Sequence, residues 1–275
     1  MAIDVGVVDG DLLIGGTAEG AVSVSALEDG AIQVKEGDNI VATLSDVSDD
    51  IRIQLDSAGT VNDQVSLLLE GAEIDRVMVD LGDGDNVVTV ESGAINGSLL
   101  FWGGSGNDSL LIAEGVEVED NIYAWLGQGD NSFQLDGSVG RSLFVRGGSG
   151  EDDVGISETG LVGRKVDLQL GDGTNSASIS GQIEDRLSYR GGDGDDSVEI
   201  GESGSIYGHV SIHLGEGSNQ VAHLGEIEGN LRVVSKNSED MVVIDDAAIV
   251  GGRVIEQLGN DSRRGGRGIG RFFFR

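Results

Sequence analysis

The sequence predicts an all-β fold, a single right-handed parallel β-helix that grows as a solenoid of about ten coils of ~22 residues. Three observations predict it. Ten positions read Asn, Asp, Asn, Asp without a break, from Asn39 and Asp63 through Asn86, Asp108, Asn131, Asp152, Asn175, Asp196 and Asn219 to Asp240, with spacings of 21 to 24 residues. Each follows a glycine-rich acidic turn and precedes a run in which apolar residues alternate with polar ones. The chain has 47 Gly and no Pro, as expected where nearly every strand is paired on both sides and a missing N–H would interrupt a ladder.

In chain order, residues 1–35 read as capping strands: Asp9 to Thr17, Val22 to Val24 and Ala31 to Val34 are short and irregular. Terminal repeats are atypical because they seal the core. Residues 36–260 form the solenoid. One coil shows the grammar: Val77 to Leu81, a turn from Gly82 to Asn86, Val87 to Val90, then Ser92 to Gly97. Period-2 alternation puts Val77, Val79 and Leu81 inside, with Val88 and Val90 across from them. Parity carries the Asn/Asp column inward too, two residues before the first buried residue of the second strand. In the third segment, Asp120 with Arg141 and Arg164 with Asp185 are expected to form ion pairs between adjacent coils. Residues 261–275, with Arg263, Arg264, Arg267, Arg271, Arg275 and Phe272 to Phe274, read as a disordered tail.

The column has its own physics. Equivalent side chains on adjacent parallel strands lie ~4.8 Å apart, so a column of Asp alone would stack like charges. Asn at alternate rungs halves the charge and offers an NH2 donor to each carboxylate. The column is either a hydrogen-bonded spine or a row of cation sites.

A net charge of −32 argues against nucleic acid or an anionic membrane as partner and favours cations or basic proteins. No run of 18 apolar residues predicts a membrane span, and the first residues lack the basic and apolar regions of a secretory signal. With no Cys, disulfides and thiolate metal sites are excluded; His209, His213 and His223 show no zinc spacing. No nucleophile triad, nucleotide loop or acid/base pair is visible, so an enzyme is not expected.

Three turns fit Gly-Gly-x-Gly-x-Asp-x-U-x, with U a large apolar residue. They start at Gly103, Gly147 and Gly191 and carry Asp108, Asp152 and Asp196, followed by Leu110, Val154 and Val198. On this motif the chain resembles the haemolysin-type, or RTX, calcium-binding repeat proteins of the parallel β-roll group. The resemblance implies Ca²⁺ held by Asp108, Asp152 and Asp196 with turn carbonyls, and an exported or cell-surface bacterial setting. Aspartate suits the ion, which takes six to eight hard oxygens. The intervening turns carry Asn86, Asn131 and Asn175 and lack the doubled glycine; their amide oxygens are expected to complete the sites. This sequence departs from the family in having one glycine-rich turn per ~22-residue coil, so only one edge can hold ions.

Between the inward positions of the first segment lies an outward stripe: Leu100 and Trp102, Tyr123 and Trp125, Phe144 and Arg146. Exposed aromatic patches flanked by arginine mark interfaces. The expected function is a non-enzymatic, calcium-associated structural or adhesive module. The alternatives are a carbohydrate-binding or carbohydrate-active β-helix using the Trp102/Trp125 face, a protein-binding or self-associating face, and a metal-free self-assembling solenoid held by the Asn/Asp ladder.

Overall fold

The computed structural model describes residues 3–55 and 61–259. It is all-β, a parallel solenoid of about nine turns. The predicted tail at 261–275 lies outside the described residues. One sheet of twelve strands runs the whole length, from Asp4–Val8 and Asp11–Gly16 through Val77–Asp80, Leu99–Trp102 and Ile122–Trp125 to Val254–Leu258. A second face stacks strands such as Ser109–Ile112 and Ser132–Leu135, and a third stacks two-residue strands such as Glu117–Val118 and Ser138–Val139. The strand Val87–Ile95 bends through a corner and pairs with both Ser109–Ile112 and Glu117–Val118.

The in-register stacking follows from the alternation. A one-residue slip would turn each apolar set to solvent, so every coil locks onto its neighbour with the same parity. Val77, Val79, Leu81, Val88 and Val90 are all fully buried, as the alternation predicts. Phe101, Phe133 and Tyr189 are the largest buried side chains, spread over different coils. The glycine-rich turns stack as tightly as the strands. Gly173 has φ +119°, and a Cβ there would overlap the Gly150 carbonyl of the preceding coil, so the position admits no larger residue without parting the coils.

The N-terminal end carries antiparallel strands. Asp4–Val8 pairs antiparallel with Asp11–Gly16, which pairs parallel with Ile51–Leu55. Val22–Ala26, Ile32–Glu36 and Asn39–Leu44 form an antiparallel meander whose first strand pairs parallel with Gln64–Ile74. Here one expectation needs correction. Asn39 is not a rung of the inward column: it is exposed, opposite Glu36 across a two-residue Gly37–Asp38 turn. A short glycine-acid loop also closes a hairpin, and in this one place it does so instead of turning a coil corner.

Of the two expected corner ion pairs, one forms. Arg141 Nε lies 3.1 Å from Asp120 Oδ1, with both side chains well exposed, and such a pair contributes little. Arg164 and Asp185 meet only through the backbone, Asp185 N–H to Arg164 O at 2.9 Å.

Candidate functional site: the spine and the outward face

The nine column positions from Asp63 to Asp240 are buried, between 0% and 6% exposed. They form one unbroken ladder. The N–H of Asp63 donates to Asn86 Oδ1 at 3.0 Å, Asn86 N–H to Asp108 Oδ1 at 3.0 Å, and Asp108 N–H to Asn131 Oδ1 at 2.9 Å. The same bond recurs from Asn131 to Asp152, Asp152 to Asn175, Asn175 to Asp196, Asp196 to Asn219 and Asn219 to Asp240, at 2.8 to 3.3 Å. Each side chain from Asn86 to Asp240 thus satisfies a turn N–H that the strands cannot reach. The Asn amides add a second set of bonds. Asn86 Nδ2 donates to the Gly84 and Gly82 carbonyls of its own turn, and Asn131 and Asn175 Nδ2 reach Oδ1 of the next aspartate at 2.8 and 3.1 Å.

The two kinds of rung differ at the residue five places earlier. Asn rungs follow Leu81, Leu126, Leu170 and Leu214, all fully buried. The three complete nonapeptides put Gly103, Gly147 and Gly191 there, and a Cβ on Gly147 or Gly191 would overlap Oδ2 of Asp152 or Asp196. The first glycine of the motif therefore makes room for the aspartate carboxyl group. That Oδ2 is buried without a hydrogen-bond partner in Asp108, Asp152 and Asp196. At the last rung the slot holds Ser235, whose hydroxyl donates to Asp240 Oδ2. Asp240 thus meets the need that the other three leave open.

A buried carboxylate with one bare oxygen favours its neutral form. Burial pushes the Asp108 carboxyl up to about 7, against hydrogen bonds from Asn86 that lower it. Asp196 rises to about 6 and Asp152 rises as well, both through burial first. The Tyr189 hydroxyl is buried beside Asp196, and its ionisation is pushed up by burial and then by that carboxyl group. No bond of normal hydrogen-bonding length closes between them, and both Tyr189 Oη and Asp196 Oδ2 stay unpartnered. A carboxylic O–H at Oδ2 would stand where the Asn rungs carry their NH2.

As a calcium shell the three sites are incomplete. Each has one free carboxylate oxygen, because its neighbours along the column are Asn whose Oδ1 atoms already accept backbone N–H groups. The Gly104, Gly148 and Gly192 carbonyls accept N–H bonds at 3.0 Å from Gln128, Asp172 and Glu216 of the next coil. Six to eight oxygens converge on Ca²⁺ in a full site; here Oδ2 offers a foothold without the rest. The ladder aspartates form no cluster of three carboxylates. Among the described residues such a cluster occurs at Asp11, Asp49 and Asp50, where Arg52 bridges Asp11 and Asp50 at 2.9 and 3.0 Å and Arg76 reaches Asp50 at 3.1 Å.

Beside the inner ladder runs an outer one that the period of the inner column does not announce. The Asn62, Asp85, Asn107 and Asp130 side chains accept the N–H of Asp85, Asn107, Asp130 and Glu151 at 2.8 to 2.9 Å. Its direction is opposite: here each side chain serves the following coil, whereas inner side chains serve the preceding one. A signal for it exists in the sequence, since the residue just before each inner rung also reads Asn, Asp, Asn, Asp in this stretch.

The outward stripe of the first sheet is continuous and in register. Leu100, Tyr123 and Phe144 form one column; Trp102, Trp125, Arg146, Gln169, Arg190 and His213 form the other. Trp102 stacks on Trp125 at 5.1 Å and 7°, Tyr123 on Phe144 at 4.9 Å and 5°, and Tyr123 on Trp125 at 5.8 Å and 12°. Lys165 Nζ caps Phe144 at 4.5 Å. The rings are half-buried and turn their faces toward one another, so their edges are what the stack presents outward. A sugar-stacking platform needs open ring faces, which weighs against that use here. Such stacks contribute about 0.5–1.5 kcal/mol each beyond area burial. Trp125→Ala, which removes two of them, is expected to lower stability by ~2 kcal/mol in urea melts, with Leu111→Ala on the second face as a control for a half-buried side chain.

No family model, curated protein or solved structure matches the chain.

Proposed function

We propose that the chain is a non-enzymatic structural or adhesive module, a stiff β-solenoid rod whose coils are clamped by a spine that needs no metal. The observation that carries this reading is the unbroken run of buried backbone-to-side-chain bonds from Asp63 to Asp240. Such a spine resists bending and separation of coils, because opening any step strands a buried N–H. The exported or cell-surface bacterial setting belongs to the same proposal and rests on the Gly-Gly-x-Gly-x-Asp motif.

A second reading, a calcium-associated module like the haemolysin-type repeat proteins, is favoured by one observation. Asp108, Asp152 and Asp196, the aspartates of the three complete nonapeptides, are the rungs with a bare Oδ2. Thermal melts in millimolar CaCl2, MgCl2 and EDTA separate the two. A metal-independent spine gives coincident curves. An ion at 100 times its Kd would add about 2.7 kcal/mol, and a rise in Tm with CaCl2 alone would replace the first reading by the second.

A further inference from the structure

We infer that the Arg146–Gln169–Arg190 segment of the outward face is a docking site for an acidic peptide in the polyproline II conformation. This inference is independent of whether the spine holds metal. The outer columns of the first sheet are the basic face of an acidic protein. From Arg52 to Val234 they carry four arginines, Arg52, Arg146, Arg190 and Arg232, against two aspartates, Asp80 and Asp167, on a chain with a net charge of −32. Arg52 is tied to Asp11 and Asp50, and Arg232 donates to Gln257. Arg146 and Arg190 have no ion-pair partner among the described residues. They flank a concavity of about 330 Å³ floored by Gly147, Gly171 and Gly191, with Gln169 between them and no carboxylate in its lining. The nearby His213 is held toward its neutral form by burial and then by Arg232 and Arg190, as expected where the local field is positive.

The spacing selects the ligand. Arg146 and Arg190 stand in one column two coils apart, which at ~4.8 Å a step is about 9.6 Å. A polyproline II chain has three residues per turn and rises ~3.1 Å per residue, so its i and i+3 side chains share a face about 9.3 Å apart. Two carboxylates at i and i+3 would each meet one guanidinium fork, the strongest geometry for this pair. An extended β-strand does not fit: its i and i+3 side chains point to opposite faces. Within this stretch each strand of the sheet is paired on both sides, so no strand edge is free to add a peptide strand. The Trp102, Trp125 and Tyr123 stack continues the same face beside Arg146, and its ring edges border the site on that side.

The test is calorimetric titration of the full chain, in EDTA, with two synthetic peptides of equal charge: Pro-Pro-Glu-Pro-Pro-Glu-Pro-Pro and its isomer with the two glutamates adjacent. A polyuronate oligomer and a poly-L-glutamate of matched charge are run beside them. The i, i+3 peptide is expected to bind saturably and at least about tenfold more tightly than its isomer, as for loss of one charged hydrogen-bond pair. Arg146→Gln with Arg190→Gln is expected to abolish that preference, while Arg253→Gln leaves it intact. Because neither Arg146 nor Arg190 holds an ion-pair partner among the described residues, the double variant should melt with the parent, which shows that it is folded. No saturable binding, equal affinity for the two isomers, or binding unchanged in the double variant would overturn the inference. Tighter binding of the polyuronate would overturn it too, in favour of an acidic glycan.

Discussion

Asn131→Asp is expected to destabilise the solenoid by about 3–5 kcal/mol at mildly alkaline pH, the cost typical of an uncompensated buried charge. Asn131 is 2% exposed and does three things at once. Its Oδ1 accepts the Asp108 N–H, and its Nδ2 donates to Asp152 Oδ1 at 2.8 Å and to Gly129 O at 2.9 Å. Aspartate keeps the first bond, forfeits both donations when ionised, and places a third carboxylate between Asp108 and Asp152, one coil from each. Leu126, at the slot where glycine stands before an aspartate rung, leaves the new carboxyl group no room to turn away. Urea melts of the parent and the variant measure the loss. The matched control is Asn107→Asp on the exposed outer ladder, where Oδ1 accepts Asp130 N–H at 2.9 Å and nothing is buried; surface changes of that kind stay within ~0.5 kcal/mol. Equal effects at the two positions would mean that the alternation is decorative and that the spine carries no stability.

The contrast between the two ladders also separates what the order of residues encodes on its own from what needs the folded neighbours. The inward parity of the column, the three segments per coil and the buried set around Val77, Val79 and Leu81 are legible in the sequence, because a period of two has only two phases and the apolar residues choose one. The outward stripe follows from the same parity. What local spacing does not supply is direction and context. Asn39 fits the spacing, yet a hairpin and a coil corner share a glycine-acid turn, and only the pairing partner decides between them. Parity places the aromatic residues on the outward face, but how their rings face each other depends on side-chain torsions in neighbouring coils, and the face-to-face stack is a feature that parity does not supply. The coupling of Leu to Asn, Gly to Asp and Ser235 to Asp240 is written in the sequence; its meaning depends on the residue five places back packing on the carboxyl group. The Gly-Gly-x-Gly-x-Asp motif identifies the turn, while the donor set around it decides whether an ion or a proton occupies the Oδ2 side.

That proton leads to the second large effect, a stability that falls as pH rises. Asp108 has a folded-state value of about 7 against an ordinary 3.8, Asp196 about 6, and Asp152 is shifted in the same direction. Between those limits the folded chain holds protons that the unfolded chain has released, so stability decreases with pH across that window and levels off above it. The contribution is fully present below about pH 4 and gone above about pH 7, opposite to the usual carboxylate that is paired in the native state. For Asp108 alone, a rise of this size corresponds to about 4 kcal/mol. The charges facing these groups all act in one direction: Asp83 and Asp85 raise Asp108, Asp130 raises Asp152 and Asp195 raises Asp196, while Asn86, Asn131 and Asn175 oppose through hydrogen bonds. Other carboxylates in so acidic a chain also titrate, so the informative quantity is the difference between the parent and Asp108→Asn. Asparagine reproduces the neutral acid with its donor in place, and its Oδ1 can still accept the Asn86 N–H. The two proteins should therefore unfold at similar urea concentrations near pH 4, and the variant should become the more stable by several kcal/mol near pH 8, with a larger gap when Asp152→Asn and Asp196→Asn are added. Measured in EDTA, parallel curves would show that Oδ2 is ionised in the fold. A variant less stable than the parent at alkaline pH once millimolar CaCl2 replaces the EDTA would show that the negative charge itself supports the coil, with a cation rather than a proton at the Oδ2 side of the spine.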